Sequence, residues 1–290
     1  MLYTYVMLTK AQVIRVLKFV QLYRIILLKR KVVNTIRRYR FGRSYYQQNL
    51  KLIGAWSRKN TEDSNFYYEL TSHNLLYLAH FVAMITATKP ELALQYFSEL
   101  EENNELKNHI LNGFAESNYG KDIEVSFGRR IGWYAIARIT KPEVVIETGV
   151  DHGVGACILS AALLKNKEEG FYGEYIGTDI SESAGQLLTG EYSEVGKILY
   201  GDSIESLITL EQKINLFIND SDHSSEYEFR EYQAIRSKLA ERAIILGDNA
   251  HSSDSLAKFS MEASRRFLFF KETPKDHWYP GAGIGASIEM

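Results

Sequence analysis

The chain has 290 residues, 45% of them apolar and 24% charged, which describes a globular protein with one catalytic domain and a sizeable extra segment, or two small domains. Its lone cysteine, Cys157, excludes an internal disulfide framework and a cysteine-built zinc cluster and fits a reducing compartment. The net charge of -2 hides an asymmetry: residues 1–61 hold 14 Lys and Arg and no Asp or Glu, against 20 basic and 36 acidic residues in the remainder.

A basic arm therefore precedes an acidic body. It can meet anionic lipid, nucleic acid or the protein's own acidic surface. Residues 10–40 predict one long helix or two, with Val13, Val16, Leu17, Val20, Ile25, Leu28, Val32 and Ile36 mostly at helical spacing and Lys and Arg interleaved. A basic amphipathic helix over residues 10–43 suits an anionic membrane surface, and Tyr39, Phe41, Tyr45 and Tyr46 suit its interface. The other reading is a long helix whose basic side chains meet solvent or an acidic partner subunit, which leaves room for a homo-oligomer. No apolar run reaches the roughly 18 residues of a spanning helix, and Met1 to Tyr5 lacks the basic start of a secretory signal. The expected location is cytoplasmic, peripheral on the inner face of the membrane.

Residues 42–61 read as a polar linker. A helix is expected over 64–89, with Pro90 in the first turn of the next, then short helices over 92–100 and 105–114. Residues 62–127 thus form a helical cap region that supports a core or covers a cleft. A helix over 128–139 leads into the last domain, residues 128–290. There, strands are expected at 144–148, 173–179, 197–201, 214–220, 243–248, 266–271 and 284–289, with helices at 154–165, 184–188, 203–209, 226–239 and 254–263. This alternation predicts an α/β fold, a mostly parallel, doubly wound seven-stranded sheet with helices on both faces and a helical N-terminal extension. The connection 272–283 holds no helix, too little for a parallel crossover, so the final pair should be antiparallel.

The run Val144-Val145-Ile146-Glu147-Thr148-Gly149-Val150-Asp151-His152-Gly153-Val154-Gly155 is a β-branched strand, a glycine turn and a helix start, the layout that holds a nucleotide-like cofactor. It is not the G-x-G-x-x-G dinucleotide fingerprint. Glu147, Gly149, Gly153 and Gly155 instead resemble the first motif of class I S-adenosylmethionine-dependent methyltransferases. The resemblance implies close backbone approach to the methionine and ribose, allowed by the missing Cβ. It also implies a Rossmann-like fold. Asp179 ends the next strand, where a carboxylate can accept both ribose hydroxyls. Asp202 ends the third and either lies near the adenine or caps the following helix.

Asp220, Asp222 and His223 end one strand, and Asp248 and Asn249 the next. Carboxylates converging at neighbouring strand ends call for a compensating cation or proton. Asp220, Asp248 and Asn249 are an oxygen set that suits Mg²⁺, with Asp220 also facing the cofactor. The spacing resembles that of divalent-metal-dependent O-methyltransferases, in which the metal holds the acceptor hydroxyls. His223 is the first candidate base, Asp222 its alternative or orienting partner, and His251 the second choice. His277, Trp278 and Tyr279 are expected to line the pocket mouth and offer flat faces to a sugar or aromatic ring. Bland roles remain open: Asp222, or better Ser224 or Ser225, can cap the helix near Glu226, and His223 can bond a backbone carbonyl.

Lys141 to Gly149, Asn219-Asp220-Ser221-Asp222-His223-Ser224 with Tyr227-Glu228, and Gly247-Asp248-Asn249 resemble bacterial sugar O-methyltransferases and cephalosporin-hydroxylase-like proteins. The resemblance covers residues 128–290. Ser221 stands where most relatives have glycine, and Asn249 carries one negative charge fewer than an aspartate would. What it implies is a transferase that moves a methyl group from S-adenosylmethionine to a hydroxyl of a small molecule or glycan, sugar O-methylation first. The basic arm favours a membrane-proximal acceptor such as a lipid-linked glycan, in polysaccharide biosynthesis. N-methylation and a non-catalytic, membrane-associated scaffold are the alternatives. A nucleic-acid partner is not expected, because the body is acidic and no RNA-recognition module is present.

Overall fold

The computed structural model describes residues 9–59, 62, 66–116, 124–222 and 224–289. The chain divides into two units, one ending at Lys59 and one starting at Asn60.

The first unit is a single helix, α1 (Lys10–Trp56), opened by a capping box between Thr9 and Gln12. It runs through Gly42 and Gly54, so the linker expected from residue 42 is helical as far as Trp56. A single glycine costs a helix only about 1 kcal/mol, and the intervening Gln47-Gln48-Asn49-Leu50-Lys51-Leu52 contains no proline. No residue of α1 is buried. Its apolar and basic side chains are also less separated than an amphipathic helix requires. At roughly 100° per residue, the exposed Leu22, Phe19, Leu27 and Leu17 spread round the axis. Among the described residues, no helix is long and apolar enough to cross a membrane.

The second unit begins with α2 (Ser72–Thr86), α3 (Pro90–Glu101), α4 (Asn104–Glu116) and α5 (Arg130–Thr140). The helix expected from residue 64 starts only at Ser72, because residues 66–71 are extended and Leu70 bridges to Pro274. Then come β1 (Val144–Thr148), α6 (Val154–Glu168), β2 (Glu174–Asp179), β3 (Gly196–Tyr200), α7 (Ser203–Thr209), β4 (Ile214–Asn219), α8 (Ser225–Ile235), β5 (Leu239–Gly247), α9 (Ser255–Glu262), β6 (Arg266–Lys271) and β7 (Gly283–Ile288).

The sheet order is β3-β2-β1-β4-β5-β7-β6. The first five strands are parallel, and β7 runs antiparallel to both β5 and β6. The short final connection therefore has the effect expected of it, and the fold is the Rossmann-like, seven-stranded α/β arrangement. Two differences lie in the helices. Residues 182–187 form turns instead of a helix, because Gly185 donates its N–H to the Asp151 carbonyl (2.6 Å) and Leu187 to that of His152 (3.1 Å). These backbone groups brace the glycine turn and cannot close a helix of their own. The helix expected to reach 239 stops at Ile235, and β5 already begins at Leu239.

Alternate residues of the strands face opposite layers. Val145, Leu216, Ile218 and Leu246 pack with Leu78, Phe97, Leu100, Trp133, Ile136 and Leu159 from α2, α3, α5 and α6. Ile146, Phe217 and Ile245 pack on the other face with Tyr232 and Ile235 of α8 and Leu256 and Phe259 of α9. Helices α2 and α3 thus pack in the same sheet-covering layer as α5 and α6. Arg138 of α5, 3% exposed, ties that layer together through Glu99 of α3 and through Asn166 and Glu169 at the end of α6. Removing it strands a partly buried carboxylate and a buried amide. Arg138→Ala should therefore lower stability by roughly 2–3 kcal/mol in urea unfolding.

Candidate active site

Parallel strands β2, β1, β4 and β5 bring their carboxyl ends to one edge, where open α/β sheets bind ligands. A cleft of about 700 Å³ lies there, lined by Glu147, Gly149, Gly155, Asp179, Asp202, Asp220, Asp222 and Asp248 among others. Gly149 has φ +81°, and a Cβ on it would run into the backbone of Asp220; a Cβ on Gly155 would run into the Glu147 carboxylate. Gly153 starts α6 with φ +97°.

Asp179 clamps this turn. Its Oδ2 accepts the N–H groups of Val150 and Asp151 (both 3.0 Å) and its Oδ1 that of Ser181 (2.8 Å). A carboxylate offers about four lone-pair sites, so one is left for a ribose hydroxyl instead of the two expected. Asp202 caps α7, with Oδ1 accepting from Ile204 (2.8 Å) and Glu205 (3.1 Å), and lines the cleft as well. Glu147 is buried and accepts the Tyr175 hydroxyl at 2.5 Å. Burial raises its pKa to about 7, against the pull of that hydrogen bond and of Arg130.

A second cavity of about 330 Å³ adjoins the first, since Arg129, Arg130 and Asp248 line both. Its other walls include Phe66, Tyr68, Phe127, Asn249, His251 and Tyr279. At the seam, Arg129 holds Asp248 with a two-toothed grip, Nε to Oδ1 and Nη2 to Oδ2. Glu272, also buried, completes the cluster. It accepts from Arg129 Nη1 (3.3 Å) and Arg129 N (3.1 Å), from Tyr68 OH (3.1 Å) and from Ala282 N (2.9 Å). Burial alone would raise the Asp248 pKa, but the Arg129 charge and its hydrogen bonds bring it below the usual range. Asp220 goes the other way, pushed well up by burial and by the neighbouring Asp248, with Arg130 only 3.9 Å away as partial compensation.

Asp220, Asp248 and Asn249 do meet at the strand ends, yet both oxygens of Asp248 are committed to a guanidinium. The set does not fit a divalent ion while Arg129 is in place. Among the described residues, no group of three or more His, Cys, Asp and Glu is arranged to hold a metal. The glycine-floored, acid-lined cleft does fit S-adenosylmethionine, whose sulfonium and ammonium are cationic.

His223, the first candidate base, lies outside the described residues. Asp222 lines the cofactor cleft and accepts the N–H of Ser224 (2.9 Å), while Ser224 caps α8. His251 lines the second cavity, its Nδ1 3.3 Å from the Asp248 carbonyl. Tyr279 lines it too. His277 and Trp278 line neither cavity: His277 pairs with Glu62 at 3.5 Å and stacks against Trp278. Their rings contact Phe66, and that of His277 also Tyr68, two residues of the second cavity's wall.

Sequence reasoning missed Arg129, Arg130, Glu231 and Glu272. Glu231, fully buried, holds the strand-end loops through Ser203, Asn219 and Ser221. A signal existed for the arginines: two cations where a helix begins oppose its dipole, which marks them as serving something else. Glu272 carried none. The Glu147 shift has a testable sign. Its folded pKa lies above its unfolded one, so its contribution to stability is present below about pH 4.5 and is lost as pH rises through about 7. The Tm of Glu147→Gln relative to the parent should climb across that window in pH-resolved calorimetry.

Residues 146–250 match the model of a family described as a methyltransferase domain. No curated protein matches the sequence. Among solved structures, the chain is similar to an O-methyltransferase from Bacillus cereus in complex with SAH (13% identity, 67% of this chain and 96% of that one, TM-score 0.47). It is also similar to the O-methyltransferase TomG from Streptomyces achromogenes, involved in tomaymycin synthesis, in complex with SAM (16%, 65% and 91%, TM-score 0.47). An SAH-bound methyltransferase from Podospora anserina is a third (18%, 69% and 95%, TM-score 0.47). The glycine turn, Asp179, Asp202, Asp220 and Asp248 all fall within residues 146–250, the part of the chain that matches the methyltransferase-domain family.

Proposed function

We propose that the chain methylates a hydroxyl of a small molecule or glycan, a sugar first among the candidates. The observation that carries this is the pair of adjoining cavities with a shared seam: an acid-lined cleft for the cofactor, and beside it an aromatic-walled space with polar groups at its inner end. Flat faces of Phe66, Tyr68, Phe127 and Tyr279 suit a sugar or aromatic ring, and so an acceptor of modest size.

When bound, S-adenosylmethionine supplies an activated methyl group on sulfonium sulfur. Gly149, Gly153, Gly155, Asp179 and Asp202 would hold it, and it would offer that methyl carbon to an acceptor oxygen with the sulfur as the leaving group, which would keep the electron pair. The hydroxyl proton passes to a base of this chain. His251 is the described residue best placed on the acceptor side, with Asp222 across the seam. Arg130 lines both cavities 3.9 Å from Asp220 and can hold the acceptor hydroxyl there.

Titration calorimetry with S-adenosylhomocysteine should give binding in the micromolar range. Asp179→Ala should weaken it by about ten- to a hundredfold through the loss of a charged hydrogen bond and of the clamp on the glycine turn. Asp220→Ala should keep the cofactor and lose methyl transfer to hydroxylated glycans. Absence of cofactor binding would favour the scaffold alternative.

Helix α1 supports a second element of the reading, a peripheral seat on an anionic membrane. Its described segment carries Lys and Arg without a single Asp or Glu, and leaves many apolar side chains exposed. Co-sedimentation of the full chain with anionic vesicles, lost on deleting residues 1–43 and absent with zwitterionic lipid, is the expected result. Equal binding by the truncated chain would refute this seat.

A further inference from the structure

We propose, resting on the methyltransferase reading, that the Arg129 guanidinium takes the place a divalent cation would hold beside Asp248, so that this site works without a metal. Four observations converge. First, the grip on Asp248 is bidentate, the geometry in which a guanidinium and a carboxylate match best. Second, Arg129 is itself fixed: its guanidinium and its backbone N–H both bond Glu272, whose side chain is fully buried. Third, Gly128 turns the chain just before it at φ +52°, a left-handed conformation that favours glycine, in contact distance of Glu272 and Tyr68. Fourth, Arg129 lines both cavities, so it sits where cofactor and acceptor meet.

The charge balance agrees. One guanidinium between two buried carboxylates, with Arg130 near Asp220, already supplies two positive charges to this edge. A dication added beside Arg129 would face its charge at short range in a poorly screened environment. The guanidinium can also do part of a metal's work. Of its five N–H donors, three go to Asp248 and Glu272. Two are left to hold an acceptor oxygen.

The test uses Mn²⁺ alone as probe, followed by the paramagnetic signal of the free ion, on the full chain with S-adenosylhomocysteine present. The wild type should show no saturable site up to about 1 mM that Asp248→Asn removes. Arg129→Ala should open one, at least about tenfold tighter than any wild-type binding, and Arg129→Ala with Asp248→Asn should close it again. Saturable wild-type binding that Asp248→Asn abolishes overturns the proposal. A folded Arg129→Ala protein that gains no Mn²⁺ overturns it too. If Arg129→Ala does not fold, the comparison of wild type with Asp248→Asn decides alone. Affinity for S-adenosylhomocysteine is read separately: its loss with the Mn²⁺ pattern intact counts against the methyltransferase reading and not against Arg129.

Discussion

A cation held between two buried carboxylates constrains everything around it. Taking Arg129, Asp248 and Glu272 out of water costs several kcal/mol per ion, and only close pairing with further hydrogen bonds offsets this. Here the pairing draws on five segments of the second unit. Asp248 follows β5, Glu272 follows β6, Arg129 precedes α5, Tyr68 comes from the segment ahead of α2, and Ala282 precedes β7. The site is not a set of loops resting on a finished scaffold. Its central charges also fasten the helical layer and the antiparallel end of the sheet to the parallel strands.

The cofactor side obeys a simpler rule. Parallel register sets Thr148 beside Thr178 and Asn219, and Asn219 beside Gly247, so the residues that follow each strand emerge at one level. Glycine at 149 lets the turn after β1 lie against the backbone of Asp220, and Asp179 locks that turn from the other side. Backbone approach, not side-chain number, is what this half of the site is built for.

That half was readable in the sequence for the same reason. Glu147, Gly149, Asp179, Asp202, Asp220 and Asp248 each stand at the end of an apolar run, and a strand followed by a turn is a local pattern. The short connection before β7 announced the antiparallel strand equally well. Long-range pairing left no such trace. Arg129 and Asp248 are 119 residues apart, and Arg129 and Glu272 are 143, so the acids at the strand ends read as metal ligands with their real partner out of view. Residues 184–188 have a helical look, but the N–H groups of Gly185 and Leu187 serve the glycine turn. Residues 42–61 looked like a polar linker, yet the helix runs on to Trp56, since a single glycine at 42 costs it too little to end it. His277 and Trp278 looked like a pocket mouth because aromatic residues on a loop suit both a ligand and a wall, and only packing against Glu62 and Phe66 distinguishes the two.

Strand β7 lies between β5 and β6, so β6 is tied to the rest of the sheet only through β7. The connection between these two strands carries Glu272, Tyr279 and Ala282, so the acceptor wall hangs on a hairpin that the parallel strands grip along one edge alone. Loosening the three-residue ladder between β5 and β7 would shift that wall and the second carboxylate of Arg129 together, while leaving the register of the five parallel strands untouched.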